Sequence, residues 1–423
     1  MDRQEESPAS GDITMQRDSS SREHTPEAAR RGAGGLSGIR VIDLGRYIAA
    51  PLCAAMLADQ GAEVIRVEDP KGASDRDVMP IGMPGRGSLY MQVNRNKKSL
   101  TLDITSPTGR EILERLIATS DVVIINLPYK SLNKLGLDYE SLKSLRKDII
   151  LTTISAFAYS GNDRNRVGFD GMGQALSGAM YLSGTGNLPM RAAVSYIDYA
   201  TGSAAAFATA AAILDRQVTG EGQHVECSLM GTAYTMMNPM LIEEATGTRQ
   251  RQASANRSPI AGPSDLFSAR DGWIMVQVIG NAMFARWAEL VGRPELVADP
   301  HFATDILRGE NGEALSAIMG GWCAARTLAE CLAALESARI PACPVLTPNE
   351  ALNAEGVDDY FNFVAPNDAE NPIPLATANL RTRAFQPDRL RCAPPLGADT
   401  QSILTSLDIQ GDEIEKLRQQ GII

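Results

Sequence analysis

Histidine is nearly absent from the 423 residues: His24, His224 and His301 are the whole set. Histidine carries much general acid–base chemistry and is the commonest metal ligand. Its scarcity argues against a Ser-His-Asp triad and against a histidine-built metal centre. The six cysteines, Cys53, Cys227, Cys323, Cys331, Cys343 and Cys392, form no CxxC pair and have no metal-ligand spacing. They read as buried thiols in a reducing cytoplasm, and no metal is expected. What remains open is carboxylate chemistry and phosphate binding by backbone. The run Gly45-Arg46-Tyr47-Ile48-Ala49-Ala50-Pro51 leaves an apolar strand and opens an apolar helix. Free N–H groups and the dipole at a helix start attract phosphates. The run is not a GxGxxG fingerprint, and a plain structural turn also accounts for it.

The elements that must position such groups alternate along the chain. Ile39–Leu44 reads as a strand, Pro51–Gln60 as a helix ending at Gly61, and Glu63–Val67 as a strand. Ser99–Ile104 is strand-like, Ser106-Pro107 is an N-cap followed by proline in the first turn, and the helix runs to Ala118. Asp121–Ile125 and Ile149–Ile154 are strands, with a helix over Ser141–Lys147 between them. This alternation predicts an α/β fold with a mostly parallel sheet. An alanine-rich helix is expected over Thr201–Gln217, a strand over Gln223–Leu229 and a helix over Met236–Thr246. The polar stretch 248–264 reads as a linker. A second compact region follows, with a strand at Trp273–Val278, helices near Phe284–Val291, Leu315–Ala324 and Leu328–Ser337, and an extended run Pro341–Leu346. From Glu350 to Pro395 the chain is loop-rich, and helices over Thr400–Leu407 and Gly411–Gln419 close it.

Hydrophobic content of 44% and charged content of 22% are ordinary for a globular chain, and the length suits two domains. A net charge of -11 and a pI near 5.0 argue against nucleic-acid or basic membrane-surface binding. Residues 1–35 are polar and charged with almost no large apolar side chains; they read as a disordered tail without a secretory signal. No apolar run reaches the ~18–20 residues of a membrane span; Ala204–Leu214 comes nearest. A cytoplasmic protein is expected.

Several segments, in order, resemble class III CoA-transferases: Gly38–Arg76, Asn94–Ile104, Ser120–Lys143, Gly168–Met180 and Ile197–Met230, then SARDGWIMVQV, DPHF, APPLGADTQSIL and the terminal EIEKLRQQGII. The resemblance implies a Rossmann-like large domain (36–230, completed by 351–423), a linker (231–264) and a smaller inserted α/β domain (265–350), with two chains interlocked as a dimer. It implies transfer of CoA from an acyl-CoA thioester to a carboxylic acid through an aspartate nucleophile. That aspartate would attack the thioester, form a mixed anhydride and then carry CoA as an aspartyl thioester. It implies CoA contacts from Tyr47, Ile48 and Ala49, from the basic Lys97 and Lys134, and from Asn126 and Leu127. Two departures weaken that set: Asp69 stands where some members have arginine, and Leu127-Pro128-Tyr129-Lys130 replaces an Asn-following RPG.

The resemblance also locates the nucleophile in a turn of the form TGxxDGPP. The matching residues are Ser183-Gly184-Thr185-Gly186-Asn187-Leu188-Pro189-Met190, and no Asp or Glu occurs between Ser183 and Ile197. Asn187 or Gly186 then occupies the nucleophile's place, and an amide cannot form the anhydride. On this reading the chain is the non-catalytic subunit of a heteromer whose homologous partner supplies the aspartate. The family includes such a two-subunit branch, which moves CoA from succinyl-CoA to benzylsuccinate. Asp170 in GFDGMGQALSG and Asp198 in IDYATG are expected to orient neighbouring groups; they are also the alternative catalytic acids of a homodimeric transferase or racemase. The racemase reading needs a histidine where Phe169 stands. A non-enzymatic CoA-binding or scaffold protein is the remaining alternative.

Overall fold

The computed structural model describes residues 34–82, 84–366, 371–378 and 390–423. Most of the expected N-terminal tail, residues 1–33, lies outside the described residues.

Six strands form one parallel sheet: β1 (Arg40–Asp43), β2 (Glu63–Glu68), β3 (Lys98–Thr101), β4 (Val122–Ile125), β5 (Ile150–Ser155) and β6 (His224–Ser228). Their order is β3-β2-β1-β4-β5-β6. Strands buried on both faces read as unbroken apolar runs, which is why VVII and ILTTIS were legible as strands. Successive side chains point to opposite faces. Ile42, Ile65, Val123 and Leu151 enter one core, with the helix Pro107–Ala118. Val41, Val64, Val122 and Ile150 enter the other. That second face is covered by α1 (Ala49–Asp59) and by a long helix introduced below. The chain's last helices, Thr400–Thr405 and Asp412–Gln419, return to the first core through Ile403, Leu404, Ile414 and Leu417.

A second region has its own sheet, β7 (Ser264–Ser268), β8 (Trp273–Gln277) and β9 (Ala342–Pro344), all antiparallel. Its helices close a separate core around Phe267, Ile274, Trp287, Leu315 and Leu335. The fold is the expected α/β architecture, a Rossmann-like parallel sheet with a smaller α/β region. Within the stretch expected to be loop, β10 (Phe361–Val364) and β11 (Ile373–Ala376) make an antiparallel pair.

Three helices build the site. They are α2 (Asp170–Leu176), α3 (Tyr196–Thr219) and α4 (Leu229–Ala245). Helix α3 starts five residues before the expected Thr201, and α4 starts at Leu229 with Pro239 inside it. At 24 residues α3 is long and apolar enough to cross a membrane. It instead lays Ile197, Thr201, Ala205, Thr209, Ala212 and Ile213 onto the sheet core.

Candidate active site

In a sheet of this order the strand sequence reverses direction between β1 and β4, and ligands favour the crevice at such a switch point. The loop after β1 and the residue after β4 are tied together there. The Asn126 amide accepts from Arg46 N–H at 2.9 Å and donates to the Arg46 carbonyl at 2.8 Å. Gly45 sits where an added Cβ would lie 2.7 Å from Ala50 Cβ and 2.8 Å from Asp43 Oδ1, so only glycine fits. Tyr47 follows in the left-handed region, φ 63°. A bulky residue there is strained and needs support. The Tyr47 N–H donates to Asp75 Oδ2 at 2.8 Å, and Asp75 is itself gripped by both 2.9 Å bonds from Arg66 Nη2. Helix α1 then begins with no side-chain cap, and among the described residues the N–H groups of Ala49 and Ala50 have no acceptor.

Lys97 does not reach this crevice as a free cation. Its ammonium is wholly buried and donates to Asp43 Oδ2 (2.7 Å), the Pro51 carbonyl (2.8 Å) and Asn94 Oδ1 (2.8 Å). An ammonium has three N–H donors, and all are used. The role expected for Lys97 as a CoA contact is therefore corrected: it braces the loop from below. Burial would raise the Asp43 carboxyl, but Lys97 and Arg66 overcome it and hold Asp43 below its ordinary value. Asp43 Oδ1 in turn accepts the Gly45 N–H at 2.8 Å.

Helix α3 packs closely on α1. At Gly202 a Cβ would meet the Ala49 carbonyl at 2.7 Å and Leu52 Cβ at 3.2 Å, so a larger residue would push the helices apart. Asp198 lies one turn before Gly202 on the same face of the helix. It therefore arrives beside the start of α1, and Tyr47, Ile48 and Asp198 line one cavity of about 890 Å³. Phe169, Met172, Val194 and Tyr199 supply much of its apolar wall. The Phe169 ring stands edge-on to Tyr47, centroids 5.8 Å apart.

Ser195 precedes α3 but gives no side-chain cap. Asp170 does this instead from α2. Its buried carboxylate accepts the Ile197 N–H at 2.8 Å and the Asp198 N–H at 3.3 Å, and receives the Gln174 amide on its other oxygen. A negative charge at a helix start is favourable. The same charge is unfavourable for the neighbouring carboxyl. Burial first, and Asp170 second, push Asp198 up to about 7. At pH 5, where Asp198 is protonated, Asp170→Asn is expected to cost about 1–2 kcal/mol through the lost cap. A urea midpoint unchanged at that pH would contradict the cap.

The structure thus gathers Tyr47 and Ile48 with Asp170 and Asp198 around the cavity, with Ala49 buried at the first position of α1, and braces them with Asn126 and Leu127 through the Arg46 link and the Tyr159 hydroxyl on the Leu127 carbonyl (3.3 Å). It leaves Lys134 exposed at the end of the helix Tyr129–Lys134, outside the cavity. Asp69 is exposed and accepts the Lys71 N–H at 2.9 Å. Gly186 and Asn187 sit in an exposed turn closed by the Thr185–Leu188 bridge, and neither lines the cavity. Sequence reasoning did not single out Arg191 or Tyr199, which do. An acid in the first turn of a helix lacking its own cap was the available signal for Asp198.

Residues 36–400 match the family model described as CoA-transferase family III. The chain is 29% identical over 393 residues to succinyl-CoA–D-citramalate CoA-transferase of Chloroflexus aurantiacus, covering 92% of this chain and 98% of that one. It is 28% identical over 398 residues to the beta subunit of succinyl-CoA–L-malate CoA-transferase of the same organism, covering 92% and 98%. Among solved structures it is similar to a CaiB/BaiF family protein from Brucella suis, with a TM-score of 0.77 and 29% identity over 89% of this chain and 100% of that one.

Proposed function

The chain belongs to CoA-transferase family III, and we propose that it carries its own nucleophile, Asp198, and exchanges CoA between short dicarboxylic acids with succinyl-CoA as donor. The observation that carries this reading is the position of Asp198: a carboxylate raised to about 7, at the wall of the cavity of about 890 Å³, beside the uncapped start of α1. The reading departs from the expectation that Asn187 or Gly186 stands in the nucleophile's place: that turn does not line this cavity, although Gly186 lines a second one with Ser254 and Arg257. The donor and acceptor classes come from the names of the relatives, which act on succinyl-CoA, citramalate and malate.

The steps balance without an external acid, base or metal. An Asp198 oxygen bonds to the acyl carbon of the thioester, the C–S bond breaks, and a mixed anhydride and CoA thiolate result. The thiolate attacks the aspartyl carbonyl and releases the donor carboxylate. The acceptor carboxylate attacks the aspartyl thioester, and the thiolate then takes the acceptor's acyl group, restoring Asp198. A carboxylate near 7 is a stronger nucleophile than one near 4, yet ionised enough at neutral pH to act. The Ala49 and Ala50 N–H groups are suited to the oxyanion or the phosphates. Phe169 cannot shuttle a proton, which disfavours the racemase alternative.

A second reading keeps a homologous partner chain. It is favoured by the relative named as a beta subunit and by apolar side chains left exposed on α3: Phe207, Leu214 and Val218. A second copy or a homologue would cover them, in the interlocked arrangement the family resemblance implies. Benzylsuccinate, a dicarboxylate with a phenyl group, is one acceptor that the apolar wall suits.

Incubation with succinyl-CoA followed by hydroxylamine should leave a hydroxamate on Asp198, found by peptide mass spectrometry. The rate should rise with pH along a limb near 7. An adduct on another residue, or only on an added homologous chain, would refute catalysis by Asp198.

A further inference from the structure

We propose that Asp75 is a positioning residue for CoA: it holds Tyr47 in the left-handed region and so sets the shape of the loop between β1 and α1 that meets the thioester. This rests on the reading that the loop meets CoA, and not on which carboxylate reacts. Tyr47 and Ile48 line the cavity of about 890 Å³, and Tyr47 stands at φ 63°. A bulky side chain is disfavoured there on the order of tenfold against ordinary backbone. Without support Tyr47 would leave that region, and Ile48 and the start of α1 would turn with it. The support is the 2.8 Å bond from the Tyr47 N–H to Asp75 Oδ2. Asp75 is buried and comes from a distant segment, the short 3-10 turn Ser74–Asp77. The same turn meets the Tyr47 hydroxyl through Ser74 Oγ at 3.3 Å and runs on into Val78 and Met79, which line the cavity too. Asp75 therefore ties two walls of the cavity together.

One buried network carries both ends of the loop. Asp43 Oδ1 accepts the Gly45 N–H, and Asp75 accepts the Tyr47 N–H. The cations behind these two carboxylates, Lys97 and Arg66, share Asn94 Oδ1 at 2.8 and 2.9 Å. Arg66 is wholly buried. Its Nη2 donates to both Asp75 oxygens, while its Nε lies 3.3 Å from Glu68 Oε2 and makes no hydrogen bond among the described residues. A buried ion pair stabilises weakly, because desolvation offsets the attraction. Stability alone therefore does not account for this pair beside a bulky residue at positive φ. Two unfavourable features meet at one hydrogen bond, on the wall of a cavity. Strained backbone persists where its surroundings over-determine it, and it gathers at ligand sites. The gain here is orientation: Asp75 cannot swing away without unpairing Arg66, so the Tyr47 N–H keeps a fixed acceptor.

The test is a double-mutant cycle on CoA binding, read by titration calorimetry on the full chain without turnover. Asp75→Ala should raise the Kd for CoA at least tenfold. Glycine adopts positive φ freely, so in a Tyr47→Gly background the same change should raise Kd no more than about threefold. Asp75→Asn keeps an oxygen for the Tyr47 N–H and should recover most of the loss. In steady state, Asp75→Ala should raise KM for succinyl-CoA in step with Kd, change kcat much less and leave KM for the acceptor acid within twofold; a general loss of folded protein would lower kcat instead. An unchanged Kd in Asp75→Ala would overturn the inference. So would equal weakening in the two backgrounds, or an equal rise in KM for the acceptor. Asp75→Ala strands the Arg66 charge in the interior; if it does not fold, Asp75→Ala combined with Arg66→Met removes both charges and is carried through the same cycle. An unmodified protein that does not bind CoA would refute the reading beneath the inference and the inference with it.

Discussion

Asp198→Ala is expected to lower kcat by at least about 10⁴-fold and to abolish the hydroxylamine-trapped adduct, with the fold intact. Covalent transfer has no second acid to fall back on in this cavity. Asp170 also lines it, but both its oxygens are engaged, by two backbone N–H groups at the start of α3 and by Gln174. To attack a thioester it would have to abandon the cap. Asp198→Asn should be as inactive as the alanine variant, since an amide oxygen is a poor nucleophile. Asn187→Asp gives the contrasting arm. That side chain lies in an exposed turn outside the cavity, so the substitution should leave kcat within twofold. Activity surviving in Asp198→Ala but gained in Asn187→Asp would return the nucleophile to the turn. Activity appearing only when a homologous chain is added would move catalysis to the partner.

The strands of the large sheet were legible because parallel strands are apolar on both faces, and VVII in β4 admits little else; β2 keeps its apolar Val64, Ile65 and Val67 but also buries Arg66 and Glu68. The helix Pro107–Ala118 was legible because its cap is local, Ser106 Oγ accepting the Gly109 N–H at 3.0 Å. The start of α3 was not, because its cap comes from Asp170 on another helix. That error in boundary left Asp198, already singled out as an orienting or alternative catalytic acid, ahead of the expected helix instead of in its first turn. Lys97 misled for a related reason. A lysine is ordinarily a surface cation, and nothing in its own segment announces that Asp43, Pro51 and Asn94 converge on it. The close approach of α3 to α1 at Gly202, which brings Asp198 beside the start of α1, is a contact between distant segments that no local signal announces.

A site that keeps a carboxyl near 7 does so at the expense of stability, and removing the charge should reveal how much. Asp198→Asn is expected to stabilise the protein at pH 8 by up to about 4 kcal/mol, the full shift from the ordinary 3.8 to about 7 converted at 1.36 kcal/mol per unit. The sign follows from proton counting. Between those two values the folded chain holds a proton on Asp198 that the unfolded chain has lost. Stability from this group therefore falls as pH rises through that window, and the loss is complete above about 7. The gain in the asparagine variant should accordingly be roughly 2–3 kcal/mol smaller at pH 5 than at pH 8. Urea unfolding of both proteins at the two pH values reads this directly, with the early transition assigned to the large domain by a probe near α3. Equal gains at both pH values would mean that Asp198 is not held near 7, and the activated nucleophile would lose its physical basis. A stable but inactive variant at pH 8 would tie the instability to function, since the same burial and the same Asp170 charge that weaken the fold are what sharpen the carboxylate.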